Sequence, residues 1–382
     1  MQGETPTTGM IDCDIHPKAS AENPIEPFVP EAIREALRQK LGGSPSNGYA
    51  NPFGVDRRDA ACVDPKLVAR EHLDRYGITH AVMQSPGLQV STLNNQDVGN
   101  AMAVAWNDWQ HTWLDADERY LGSVCVNMND PAAAAAEIRR VGRHPRVVQV
   151  LTSGEQRDLL GHRRYFPVYE AACEMGLCLT LHPGREGSFG HVTPVGRPSS
   201  YFEWHTVIPL TFQAHLVSLV TEGVFEQFKP LKVVLCEGGI FWAIHTCLRM
   251  DKNFKALRTA APWLKKLPSE YVWDHVRFTT QPIEEPEKPS QLLALLEMVH
   301  AQKTVMFATD FPHWDFDNPD RVFPRTMDAA LKRRIFFENA AETFGVGRRH
   351  EGTKARRHEG EHERADQYAT ASGSLPLGPS VP

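Results

Sequence analysis

The chain has little of what would set it apart from ordinary globular enzymes. Its seven cysteines (13, 62, 125, 173, 178, 236 and 247) form no Cys-x-x-Cys pair and follow no regular spacing. That excludes a disulfide framework and argues against a thiolate zinc site. An odd number of cysteines in apolar segments reads instead as reduced, buried thiols in a cytoplasmic protein. No apolar run approaches the length of a membrane span, and the polar start Met1-Gln-Gly-Glu-Thr-Pro lacks the charged-then-apolar order of a signal peptide. Glycine patterns of the Walker or dinucleotide type are absent, so no bound nucleotide is expected. Excess positive charge is missing too: the net charge is -6 and basic residues are scattered except at the far C-terminus. Nothing favours a nucleic-acid partner or a membrane.

What is present is an alternation of short β-branched runs with longer helical patterns. Strands are expected at 10–15, 79–84, 121–126, 146–151, 177–182, 231–236, 275–280 and 303–309. Near-continuous apolar runs such as Leu231-Lys-Val-Val-Leu-Cys236 suit strands buried on both faces, as in a parallel sheet. Helical patterns cover 64–76, with an Asp-Pro start and Gly77 as stop, then 96–117, with Trp106, Trp109 and Trp113 at core spacing. Asp130-Pro131 opens a further helix, and others fall near 164–175, 209–228, 239–258, 288–301 and 325–345. About eight such units imply closure into an α/β (β/α)8 TIM barrel. Residues 18–60 and 184–205 read as long loops at the C-terminal face of the strands. The barrel domain is expected over 1–347. Residues 348–382, with the near-repeat Arg348-Arg-His-Glu-Gly352 and Arg356-Arg-His-Glu-Gly360, read as a disordered low-complexity tail.

Ligand-type side chains gather at strand ends. Asp12, Asp14 and His16 alternate at the end of strand 1, and a period of two points them one way. Either a buried Asp–His hydrogen bond or a metal accounts for them. His182 ends strand 5 before Pro-Gly, Glu237 ends strand 6 before Gly-Gly, and Asp310 ends strand 8 with His313 three residues on. Buried charges need partners, and one shared metal centre explains all four strand ends. His205 is either a further ligand or a surface histidine at a helix start. Asp12 reads as a residue that orients a ligand. Cys13 and Cys236 are expected to face away from the site as packing.

These markers (Asp14-x-His16, the His182-Pro-Gly turn, Leu231-Lys-Val-Val and Thr309-Asp310-Phe-Pro-His313) resemble the amidohydrolase superfamily, in its aminocarboxymuconate-semialdehyde-decarboxylase-like branch, over roughly residues 10–345. The sequence departs from the common pattern by placing Asp14 and Glu237 where histidines are usual. With those changes it is similar to the TIM-barrel non-haem diiron monooxygenases, such as the diterpenoid hydroxylases of antibiotic biosynthesis. That resemblance implies two iron ions (manganese or zinc being the other candidates), held by Asp14, His16, His182, His205, Glu237, Asp310 and His313. Asp310 and Glu237 would take part in catalysis.

The implied activity is hydroxylation of an unactivated carbon of a small organic substrate, either a diterpenoid or an acyl-CoA, with dioxygen and an external electron donor. The alternative is a zinc or manganese hydrolase or non-oxidative decarboxylase, in which Asp310 acts as general base. Phe311, Trp314, Trp242 and Phe241 either line an aromatic mouth or pack between loops and helices. Arg185 and Arg197 either meet an anionic substrate or stay exposed. A homodimer is expected from the same resemblance.

Overall fold

The computed structural model describes residues 9–20, 23–34, 62–93, 95–184, 198, 201–313 and 315–346. The expected tail at 348–382, Arg185, Arg197 and Trp314 lie outside them. No helix among the described residues is long and apolar enough to cross a membrane.

Eight parallel strands run in sequence order: β1 (Met10–Ile15), β2 (Ile78–Met83), β3 (Tyr120–Cys125), β4 (Val147–Ser153), β5 (Cys178–His182), β6 (Val233–Leu235), β7 (Val276–Thr279) and β8 (Val305–Met306). Chain just beyond β8 returns to β1 through bonds from Cys13 N to Phe307 O (3.0 Å) and from His16 N to Phe311 O (2.8 Å). The expected (β/α)8 barrel is therefore the fold. Every residue of β3, β4 and β5 is buried, as befits strands between a packed interior and a helix layer.

The helices follow their capping residues. Asp64 accepts from Lys66 N at the head of α1 (Pro65–Val68), and Asp130 accepts from Ala133 N at the head of α3 (Pro131–Val141), each with proline in the first turn. The long pattern at 96–117 divides into α2 (Gln96–Trp109) and a short turn, His111–Leu114. Gln110 at the break is buried and uses its side chain on β3, donating to Ser123 O and accepting from Ser123 N. After α4 (Phe166–Met175), helix α5 (Tyr201–Thr221) starts well before the expected 209, which puts His205 on a helix rather than in a loop. α6 (Trp242–Ala256) and α7 (Pro268–His275) follow β6.

The main core lies between barrel and helices, with Phe212, Leu216 and Leu219 of α5 among its members. Inside the barrel, a polar layer replaces hydrocarbon beneath the strand ends. Thr180 Oγ1 donates to Gln149 Oε1, and Gln149 Nε2 donates to Ser123 Oγ. Gln84 Nε2 donates to Cys13 O. Buried polar side chains in such a layer are satisfied by one another.

Candidate metal centre

Four strand ends deliver the site. Asp14 lies in β1 and His16 just beyond it; His182 ends β5; Glu237 and Asp310 lie just past β6 and β8. Asp14, His182, Glu237 and Asp310 are each no more than 2% exposed. His16 Nε2 lies 3.0 Å from Asp14 Oδ1 and 2.8 Å from Asp310 Oδ1. His182 Nε2 lies 2.9 Å from Glu237 Oε2 and 3.5 Å from Asp14 Oδ2. His313 Nδ1 lies 2.7 Å from Asp310 Oδ1, and its ring centroid is 4.1 Å from that of His16. Ligand atoms of Asp14, His16, His182 and Glu237 fall within 4.8 Å of one another, as do those of His16, Glu237, Asp310 and His313.

The mutual orientation of these atoms is informative. Asp14 Oδ1, His16 Nε2, His182 Nε2 and Asp310 Oδ1 are buried at ion-pair distances, yet none is in hydrogen-bonding geometry with its neighbours. Atoms aimed at a common point between them have this arrangement, and buried polar atoms otherwise meet a hydrogen-bond partner. His182 Nδ1 is 2.6 Å from Pro183 O, so that nitrogen carries the hydrogen and Nε2 is the one presented. The donor set fits a hard or borderline divalent ion.

Protonation reflects the crowding. Burial opposes ionisation of Asp14, but the His16 and His182 imidazoles outweigh it and hold its carboxyl well below the usual range. Burial, then the carboxylates of Glu237, Asp315 and Asp14, push Asp310 well up. Burial would lower His182, yet Glu237 and Asp14 raise it well above the ordinary imidazole value. His313 is pushed well down by burial and then by His16. A bound dication takes the place of these protons, because it favours ionised carboxylates and neutral imidazoles.

Backbone conformation serves the same end. Glu237 and Asp310 both have φ of +59°, a left-handed conformation that costs on the order of 1–3 kcal/mol in a non-glycine residue. Gly238 and Gly239 make the turn after Glu237 possible. A Cβ on Gly238 would lie 2.2 Å from Phe212 Cδ2, and Gly239 has φ of +68°. The Glu284 carboxylate accepts from Ile240 N and Phe241 N and so pins this turn from β7's loop.

All seven expected ligands converge on this face, in three overlapping sets. His205 pairs with Asp315 (Nε2–Oδ2, 3.2 Å), and these two form a set with Glu237. Asp315 was not among the expected ligands, although it closes the Asp310-Phe-Pro-His-Trp-Asp315 segment. Gln281, also missed, donates to Asp315 Oδ2 (2.7 Å) and Asp310 Oδ2 (3.3 Å); the polar run ending β7 was its only signal. Cys236 corrects an expectation: its thiol faces the site and donates to Asp14 Oδ2 at 3.2 Å, because the strand ends at Leu235 and its alternation no longer holds. Asp12 likewise leaves the expected alternation. The β1 register is irregular between Asp12 and Ile15, and Asp12 turns to His72 and Thr309. Phe311 is buried and stacks on His72, with ring centroids 4.3 Å apart. Trp242 is half-buried and donates to Gly238 O and Gly239 O, holding the turn after Glu237.

The family model described as Amidohydrolase matches residues 11–346. The chain belongs to the amidohydrolase family. A curated relative, gamma-resorcylate decarboxylase of Polaromonas sp. strain JS666, is 22% identical over 299 residues, covering 72% of this chain and 86% of the relative. Among solved structures, 5-carboxyvanillate decarboxylase of Novosphingobium aromaticivorans, with manganese and a methoxy-hydroxy-nitrobenzoic acid bound, superposes with a TM-score of 0.68 at 20% identity, over 89% of this chain and 98% of that one. Dihydroxybenzoic acid decarboxylase of Polaromonas sp. JS666, with manganese and 2-nitroresorcinol, gives 0.63 at 19% identity over 89% and 98%.

These findings correct the oxygenase reading. The relatives are decarboxylases rather than dinuclear iron monooxygenases or other oxidoreductases, and none points to antibiotic biosynthesis. The two-iron expectation loses its support with it, since the metal in the similar structures is manganese. The misreading has a physical origin: carboxylate and imidazole donors suit iron and manganese alike, so replacing histidines by Asp14 and Glu237 does not by itself choose a redox metal.

Proposed function

We propose that the chain is a manganese-dependent, non-oxidative decarboxylase of a hydroxylated aromatic carboxylic acid. The observation that carries this reading is the clustering of buried ligand atoms at the strand ends in two overlapping sets, Asp14, His16, His182 and Glu237, and His16, Glu237, Asp310 and His313, each within 4.8 Å. The decarboxylases among its relatives support the reaction and the metal.

Asp14, His16, His182 and Asp310 would hold one divalent ion. That ion supplies a positive anchor for the substrate's carboxylate and neighbouring hydroxyl oxygen. The chain's own residues then move a proton. Asp310, with His313 Nδ1 2.7 Å from its Oδ1, would relay a proton to the ring carbon bearing the carboxylate. The bond to the carboxyl carbon breaks, its electron pair stays on the ring, and carbon dioxide leaves. One proton enters and one carbon dioxide departs, so neither dioxygen nor an electron donor takes part. His313 Nδ1, 2.7 Å from Asp310 Oδ1, is placed to return a proton to Asp310. His205, Glu237 and Asp315 are the set at which a second ion would bind, and the manganese stoichiometry of the loaded enzyme decides between one and two.

The test is turnover of gamma-resorcylate, 5-carboxyvanillate and related hydroxybenzoates by manganese-loaded protein. Carbon dioxide release that stops with chelator, returns with manganese and continues without oxygen is expected. Failure with the whole panel, or a requirement for dioxygen and reductant, overturns the reading.

A further inference from the structure

Beneath the metal centre lies a fully buried group that the proposed reaction does not use. Asp12 is completely buried and receives four contacts. Its Oδ1 accepts from Asp14 N (3.1 Å) and Thr309 N (2.9 Å). Its Oδ2 accepts from Thr309 Oγ1 (2.6 Å) and lies 2.8 Å from His72 Nε2. One carboxylate thus binds the backbone of one proposed ligand, Asp14, and both the backbone and side chain of the residue preceding another, Asp310. It joins the ends of β1 and β8 at the point where the barrel closes.

His72 sits behind this carboxylate. It lies on the π-helical stretch Ala69–Asp74 that continues α1, and is itself fully buried. Widened turns of this kind are rare and are found mostly at functional sites. Its Nε2–H faces Asp12, its ring stacks on Phe311 (interplanar angle 17°), and its Nδ1 has no hydrogen-bond partner among the described residues. Phe311 N in turn donates to Thr309 Oγ1 (3.2 Å). His72 therefore touches both sides of Asp310's turn: the Asp12–Thr309 contact before it and the Phe311 ring after it.

We propose that His72, Asp12 and Thr309 form a positioning clamp that sets the separation of Asp14 and Asp310, so that metal affinity depends on His72 although it touches no ligand atom. The inference rests on the preceding reading that Asp14 and Asp310 hold a metal ion. Outer residues that orient ligands change metal affinity about 10–100-fold when lost, whereas a purely structural histidine changes folding stability alone.

The experiment measures manganese dissociation constants and thermal midpoints for the full chain and its variants. His72→Phe keeps a stacking ring but removes the donor to Asp12; His72→Gln keeps a donor at the Nε2 position. Binding weaker by about 10-fold or more in His72→Phe, and within about 3-fold of the parent in His72→Gln, is expected. A folded His72→Phe protein with parental affinity overturns the clamp. Should His72→Phe not fold, the pair Thr309→Val and Thr309→Ser decides on the same criterion, since only serine keeps the hydroxyl donated to Asp12. If the parent itself binds no manganese, it is the metal reading that fails.

Discussion

His182 Nε2 lies 2.9 Å from Glu237 Oε2, which sets the end of β5 and the turn after β6 side by side in the site. Glu237 also raises the proton affinity of Asp310, second only to burial. Glu237→Gln preserves shape and removes that charge. Because the charge raises Asp310, its loss lowers the proton affinity of Asp310. The limb of the pH profile on which activity falls with rising pH should therefore move to lower pH. A kcat profile for the variant that overlays the parent, or moves to higher pH, contradicts this role.

Asp310 itself is the proposed proton donor. Asp310→Asn should fold and should lower kcat by about 10²–10⁴, the usual contribution of a positioned acid. Steady-state decarboxylation measured at saturating manganese checks it. Retention of parental kcat sinks the assignment.

The turn after Glu237 depends on close packing. A methyl group at Gly238 meets the fully buried Phe212 ring, and displacing such a ring costs about 1–3 kcal/mol. Gly238→Ala should lower unfolding stability by that amount in urea titration, with reduced activity from the displaced carboxylate. Unchanged stability would show that Phe212 gives way freely.

His215 on α5 supplies a pH dependence away from the site. Its Nδ1 accepts from Leu160 N (3.2 Å) and its Nε2 faces Gly154 O (2.7 Å). Burial depresses its pKa to about 4, below the ordinary unfolded value of about 6.5. A neutral native imidazole stabilises the fold fully above the unfolded pKa. That contribution, on the order of 3 kcal/mol, is lost as pH falls through the folded pKa. His215→Leu should be less stable at neutral pH, since it strands two backbone groups, and should show a flatter loss of stability between roughly pH 6.5 and 4. Denaturant titrations across that range compare the two proteins.

Much of this architecture was legible in the residues. Apolar runs such as Leu231–Cys236 and Asp-Pro helix starts placed strands and helices, because burial on both faces and capping leave local traces. The convergence of Asp14, His182, Glu237 and Asp310 followed from their shared position at strand ends. Other features depend on contacts remote in sequence. The inward turn of Cys236 arises where β6 ends, His72 reaches Asp12 through a widened helix, and Gln281 contacts Asp315 across two loops. The metal and the reaction were the least legible, since the same oxygen and nitrogen donors serve oxygenases and decarboxylases.

The central claim is tested most directly by loading the protein with manganese under anaerobic conditions and following carboxyl-labelled gamma-resorcylate. The account expects labelled carbon dioxide and the decarboxylated phenol in equal amounts, at a rate unchanged by admitting air. No labelled carbon dioxide, or release that begins only with dioxygen and a reductant, would contradict it.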